Sequence, residues 1–213
     1  MNGPVTSGSG QVPVLECIGV ERRFGGLVAV SGVDLRLEKG EIFGLVGPNG
    51  SGKTTLTNAI TGFYPPQKGK ILLGGRDITG TAPHKVAGMG VARTFQNLAL
   101  FNGMSVLDNI LLGRHIHMNP GVIRTALYWW LARPQEIANR EVVEEVIDFL
   151  QLESIRHEMV DGIPIGLKKR VELARALVAE PHLLILDEPM AGMNQEEKEY
   201  MARFILDARA ERG

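Results

Sequence analysis

The sequence predicts an α/β fold, and three observations predict it. Apolar runs alternate with helix-patterned runs along most of the chain, the arrangement that gives parallel strands joined by crossover helices. A glycine-rich turn, Gly47 to Thr54, sits between an apolar run and a helix-forming run. A second apolar run, Leu183 to Leu186, ends abruptly in two adjacent acids, Asp187 and Glu188.

The elements follow in order. Residues 1–13, MNGPVTSGSGQVP, are rich in Gly, Ser and Pro and lack the positive and apolar regions of a signal peptide, so they read as a flexible tail. Structure is expected from Val14 onward, with a first strand running toward Phe24. Val33, Leu35 and Leu37 alternate as a second strand, ended by a turn at Lys39-Gly40. Ile42 to Val46 is wholly apolar and is expected as a strand buried on both faces. KILLGGRDITG is a further strand followed by a Gly-Gly turn.

The character changes from about Asn97 to Val160. Val142, Val143, Val146, Ile147 and Leu150 share one helical face, with Glu141, Glu144, Glu145 and Asp148 opposite. Leu167, Val171, Ala174, Leu177 and Val178 mark another helix, stopped before Pro181 because the residue preceding a proline is driven from helical geometry. After the strand HLLILDE, Asn194 can cap a helix whose Glu197 completes a capping box, and Met201, Phe204, Ile205 and Ala208 form its core stripe.

Bulk properties exclude several classes. With 213 residues the chain suffices for one sizeable α/β domain, and 44% hydrophobic with 22% charged residues is ordinary for a globular protein. A net charge of −1 gives no general attraction to nucleic acid or anionic membranes. The single cysteine, Cys17, cannot form an intrachain disulfide, which suits a reducing compartment. No uncharged apolar run approaches the roughly 20 residues that span a bilayer, so work at a membrane would be peripheral.

Gly47, Pro48, Asn49, Gly50, Ser51, Gly52, Lys53 and Thr54 match G-x-x-x-x-G-K-[ST] and lead through Thr55 into a helix carrying Leu56 and Ile60. The glycines let successive backbone N–H groups turn onto phosphates, and the helix N-terminus adds partial positive charge. Lys53 would reach the β- and γ-phosphates, and the Thr54 hydroxyl would ligate Mg2+. Acids at the carboxyl end of a buried strand lie where open α/β sheets bind ligands. Asp187 would hold Mg2+ and Glu188 would polarise an attacking water, the competing reading being two solvated acids at a strand exit.

The order of phosphate loop, VARTFQNLALF, IPIGLKKRVELARAL and LLILDEPMAGMN resembles an ABC ATPase over nearly the whole chain from Leu15. The resemblance implies one ATPase domain over 14–213, with an antiparallel β subdomain, a helical subdomain at about 97–165, and ATP and Mg2+ as its ligands. It also implies that Gln96 touches Mg2+ and opens the stretch that senses membrane subunits. Phe24 would stack on adenine, the alternative being an ordinary core phenylalanine. RRFGGLVAVSGVDL, GVARTFQNLALFNGMSVLDNILLGRH and DEPMAGMN are further similar to the branched-chain amino acid importer subgroup, whose relatives also carry urea or short amides. Such subunits work at the cytoplasmic face of the bacterial inner membrane with a second ATPase subunit, two permeases and a periplasmic solute-binding protein. Their head-to-tail dimers hold each ATP between one subunit's phosphate loop and the other's signature segment.

Departures from that pattern qualify the expectation. Where the family reads Leu-Ser-Gly-Gly-Gln, this chain has Ile163, Pro164, Ile165, Gly166 and Leu167, and Pro164 offers neither hydroxyl nor N–H. Asn194 replaces a usual aspartate. The family continues past the position of Gly213 with a strand ending in a switch histidine, so a C-terminally truncated domain is expected. Two other readings stay open: a non-hydrolysing regulatory half of a heterodimer, and a soluble ABC-type ATPase acting on ribosomes or DNA, although neither a second phosphate loop nor heptads accompany it. Three further features read as structural: His115-x-His117 as a surface pair, Tyr128, Trp129 and Trp130 as helical packing or a permease contact, and Lys168, Lys169 and Arg170 as a solvated basic face.

Overall fold

In a computed structural model, residues 12–95, 98–117 and 133–212 are described. The chain divides into two compact units, Met1–Thr81 and Ala82–Gly213. Among the expectations above, Gln96, most of the 1–13 tail, Tyr128, Trp129, Trp130 and the side chains of His115 and His117 lie outside the described residues.

The first unit holds β1 (Leu15–Phe24), β2 (Leu27–Leu37), α1 (Lys53–Ile60), β3 (Lys68–Leu73) and β4 (Arg76–Asp77). The strands form one antiparallel sheet in the order β2-β1-β3-β4. Leu15 and Cys17 alternate into the core, but the next buried residue is Val20, one position late. Cys17 stands opposite Leu35 while Val20 stands opposite Val33, so β1 carries an extra residue there. The bulge brings carbonyl oxygens of Ile18 and Gly19 so near β3 that a Cβ on Gly69 would lie 2.4 Å from either, and Gly69 has φ +87°. Only glycine fits. Asp34 secures the bulge from β2, its carboxylate accepting a 2.7 Å hydrogen bond from the Gly19 N–H.

One expected strand is corrected. Ile42 to Val46 joins no ladder of this sheet, and Val46 is 94% exposed. Apolar composition predicts burial, but a strand exists only through hydrogen bonding to a neighbour, and composition names no neighbour.

The second unit contains α2 (Pro83–Ala87), β5 (Val91–Arg93), α3 (Val106–Leu111) with a 3-10 turn at Leu112–His117, α4 (Arg133–Phe149), α5 (Ile165–Leu177), β6 (Leu183–Ile185) and α6 (Gln195–Arg212). β5 and β6 pair in parallel, with Val91 opposite Leu183 and Arg93 opposite Ile185. The core joins Val143, Val146, Ile147 and Leu150 from α4 with Val171, Ala174 and Leu177 from α5 and Met201, Phe204 and Ala208 from α6. These are the helical stripes that the sequence periodicity predicts.

Polar groups close the helix ends. The Glu197 N–H donates to Asn194 Oδ1 at 2.9 Å, and the Asn194 N–H donates to Glu197 Oε2 at 2.9 Å, the reciprocal capping box. At the C-terminal end of α5, the buried Arg114 guanidinium donates to the Val178 carbonyl at 2.8 Å and to Asn139 Oδ1 at 2.8 and 3.0 Å. A cation at a helix C-terminus also complements its dipole. Among the described residues, no helix is long and apolar enough to cross a membrane.

The basic run is not the solvated face expected of it. Lys169 is 5% exposed and lies 3.6 Å from the carboxylate of Glu172, which is 2% exposed. Arg170 lies over the rings of Tyr200 and Phe204, 5.5 and 5.3 Å from their centres. The 3.6-residue period sets Lys169 with Glu172 and Leu173 on the face opposite the Leu167–Val171–Ala174 stripe, and α5 is buried on both faces, which sequence charge alone does not reveal.

A buried ion pair suffers most when one partner is removed, because the other charge stays desolvated. Lys169→Met is therefore expected to cost about 2–4 kcal/mol in urea unfolding, against less than about 1 kcal/mol for the half-exposed Lys168→Met. Cys17 is buried, and burial foremost, then the neighbouring Asp34 and Glu16 carboxylates, push its thiol from the ordinary 9.0 up to about 12. The folded state thus favours the neutral thiol. That contribution is complete below pH 9 and is lost as pH rises toward 12. Cys17→Ala should flatten this part of the alkaline decline, read as urea midpoints at pH 8 and pH 10 for both chains.

Candidate functional site

In the first unit, the loop from Gly47 to Gly52 delivers the chain into α1. Gly52 precedes the helix with φ +93°, and a Cβ there would lie 2.2 Å from the Ala29 carbonyl oxygen of β2. Glycine alone satisfies both the backbone conformation and the approach. No side chain caps α1 and no acid occupies its first turn, so the orphan N–H groups of the turn are left for an external acceptor. Lys53 bends back over the loop and donates to the carbonyls of Gly47 at 2.6 Å and Pro48 at 2.9 Å. Thr54 is exposed and Thr55 half-buried, while Leu56, Ala59 and Ile60 anchor the helix in the interior. The loop thus combines aligned N–H donors, a mobile-stemmed cation and an accessible hydroxyl, a chemistry suited to a polyphosphate with a hard metal ion.

Phe24 closes β1 at 40% exposure, which sets aside the core-phenylalanine alternative. Its ring meets Tyr64 edge-on, 5.4 Å between centres at 82°, and the Arg22 guanidinium lies 4.8 Å from the Phe24 ring centre. Tyr64 and Arg22 were not singled out by the sequence, since no spacing rule connects them to Phe24.

The acids lie in the second unit, directly beyond β6. The β5–β6 pairing continues past the strands: the Thr94 N–H donates to the Ile185 carbonyl at 3.0 Å, and the Asp187 N–H donates to Thr94 Oγ1 at 3.2 Å. Asp187 Oδ2 accepts from Arg93 Nη2 at 3.0 Å, with the Arg93 side chain 6% and the Asp187 side chain 17% exposed. Asp187 Oδ1 has no partner among the described residues. Glu188 is exposed and carries φ +49°, a left-handed conformation that side chains other than glycine adopt at a cost. Both acids therefore stand at the carboxyl end of a parallel pair, and Arg93 and Thr94 tie Asp187 into it. No group of three His, Cys, Asp or Glu suited to a metal occurs among the described residues.

Pro164 is the N-cap of α5, with no side-chain hydrogen bond to the helix. Gly166 is buried against α6: a Cβ there would lie 2.2 Å from Glu197 Oε1. The carboxylate that completes the α6 capping box also stands beside the first turn of α5. The sequence signal for Arg93 is the VARTFQ segment itself, which it shares with Gln96.

Comparison with known proteins places these features in context. Residues 30–191 match the family model for the ABC transporter. BraF of Pseudomonas aeruginosa, a high-affinity branched-chain amino acid transport ATP-binding protein, is 38% identical over 199 residues, covering 93% of this chain and 78% of BraF. LivG of Escherichia coli, of the same description, is 36% identical over 197 residues, covering 92% of this chain and 77% of LivG. Among solved structures, MJ1267, an ATP-binding cassette of an ABC transporter, superposes with a TM-score of 0.78 at 31% identity, covering 93% of this chain and 78% of that one.

Gly52→Ala should disable the loop, because both the conformation and the Ala29 carbonyl exclude a methyl group. A destabilisation of about 2–4 kcal/mol is expected by urea unfolding, together with loss of binding of a fluorescent ATP analogue. Gly44→Ala, with open space around its Cβ, is the control expected to bind as the parent does.

Proposed function

The chain belongs to the ABC transporter family as an ATP-binding, ATP-hydrolysing subunit, and on that premise we propose that it energises import of branched-chain amino acids, or of related amides or urea, across a bacterial inner membrane. The observation that carries the reading is the uncapped α1 N-terminus with Lys53 poised over its loop, in a chain like BraF and LivG over more than nine-tenths of its length. Those two relatives support the solute class.

The residues divide the work. The N–H groups from Gly47 to Thr55 receive the phosphates, and Lys53 exchanges its two carbonyl acceptors for phosphate oxygens in stronger, charge-assisted bonds. Phe24 presents its open face to adenine. Thr54, Gln96 and Asp187 are oxygen donors of the kind Mg2+ takes, and Asp187 keeps Oδ1 outside its ion pair. Bound there, Mg2+ supplies charge neutralisation at the phosphate oxygens. Glu188 accepts a proton from the attacking water. The partners are a second ATPase subunit, two permeases and, indirectly, a periplasmic solute-binding protein, with the chain at the cytoplasmic face. Pro164, which offers no N–H and no hydroxyl at the start of α5, supports a heterodimer in which the two signature segments are unequal.

Lys53→Ala is expected to abolish binding of a fluorescent ATP analogue, whereas Glu188→Gln retains binding and lowers turnover by about 100-fold or more in the assembled complex. Unchanged turnover in Glu188→Gln would remove that residue from the role of base. The purified complex should contain two polytopic membrane proteins and drive ATP-dependent uptake of labelled leucine into vesicles. Uptake of urea in place of leucine would reassign the solute, and copurification with ribosomes would sink the importer reading.

A further inference from the structure

Arg93 occupies a position that no motif assigns. It is the last residue of β5, opposite Ile185 in the parallel register and therefore two residues short of Asp187 along β6. Its guanidinium meets Asp187 Oδ2 at 3.0 Å, nearly out of contact with solvent. Two further contacts hold the pair. The Asp187 backbone is tied to Thr94 Oγ1, so its carboxylate cannot swing away as a unit, and the Arg93 guanidinium lies 5.3 Å from the centre of the Phe95 ring.

A carboxylate this close to the interior needs a compensating charge, and a guanidinium is permanently cationic in proteins. A divalent ion arriving at Asp187 meets an ion pair of zero net charge, the attraction of the carboxylate offset by the guanidinium beside it. Repulsion between those cations opposes metal alone. The several negative charges of a polyphosphate offset it. Resting on the reading of Asp187 as a Mg2+ ligand, we propose that Arg93 is a built-in counter-cation that closes Asp187 to free divalent metal and admits it only together with nucleotide phosphate. Arg93 is in this sense a positioning and selectivity residue: it touches a metal ligand, and its effect is on which form of the metal binds.

The test measures metal binding without turnover. Mn2+ binding to the full chain is followed by electron paramagnetic resonance, with and without ATP, for the parent chain, Arg93→Gln, Arg93→Lys, Asp187→Asn and the double variant Arg93→Gln/Asp187→Asn. The parent and Arg93→Lys should take no Mn2+ at concentrations where Mn–ATP saturates them, whereas Arg93→Gln should bind the free ion and the double variant should lose it again. In parallel, the Mg2+ concentration giving half-maximal binding of a fluorescent ATP analogue should fall about threefold or more in Arg93→Gln. If Arg93→Gln binds no free Mn2+ and its Mg2+ requirement is unchanged or raised, the counter-cation role is overturned while the Asp187 reading stands. If Asp187→Asn leaves the Mg2+ dependence of nucleotide binding untouched, the Asp187 reading itself fails. The parent chain is decisive alone even where Arg93→Gln does not fold: free Mn2+ bound at one site per chain without ATP overturns the proposal.

Discussion

Arg93 stands opposite Ile185 in the parallel pairing of β5 with β6, and that register decides what the acidic end of β6 meets. Because strand residues alternate faces, a slip of one position would aim the guanidinium away from Asp187 and leave a carboxylate near the interior with no cation. Thr94 extends the same pairing by two hydrogen bonds, so the backbone of Asp187 is fixed as firmly as a strand residue although it lies beyond the strand. The second unit's chemistry thus depends on three paired residues, and the helical core around α4, α5 and α6 is the mass that keeps them in register.

The first unit solves a comparable problem with glycine. The bulge in β1 and the entry to α1 both bring a backbone carbonyl within a distance that no side chain tolerates, at Gly69 and Gly52 respectively. In the first case the close approach shapes the sheet. In the second it seats the phosphate loop directly on β2, so that the position of Lys53 is inherited from a strand and not from the loop's own flexibility.

What could be read from the sequence follows from which forces are local. The stripes of α4, α5 and α6, the Asn194–Glu197 box and the phosphate loop each depend on residues within a turn or two of one another, and they were legible. Ile42 to Val46 was not, since apolar character says that a segment favours burial and is silent about pairing. Lys169 lies on the face of α5 opposite its legible apolar stripe, and nothing local says that this second face, with Glu172 and Leu173, is buried as well. Arg93 and Asp187 are 94 residues apart, as are Gly52 and Ala29 by 23, and only the folded chain makes such pairs neighbours. Family resemblance reached further than spacing did, assigning roles to Phe24 and Gln96, but it gives none to Arg93, three residues before Gln96.

Glu188 leaves β6 with a left-handed backbone, a conformation in which a residue with a Cβ gives up about 1–2 kcal/mol relative to glycine. A chain shaped only for durability would put glycine or asparagine at that corner. Keeping a carboxylate there means that the most strained point of this strand exit coincides with its most exposed acid. Thermostabilisation that begins by relieving backbone strain would therefore replace the proposed base first, so engineering for robustness has to begin elsewhere in the fold.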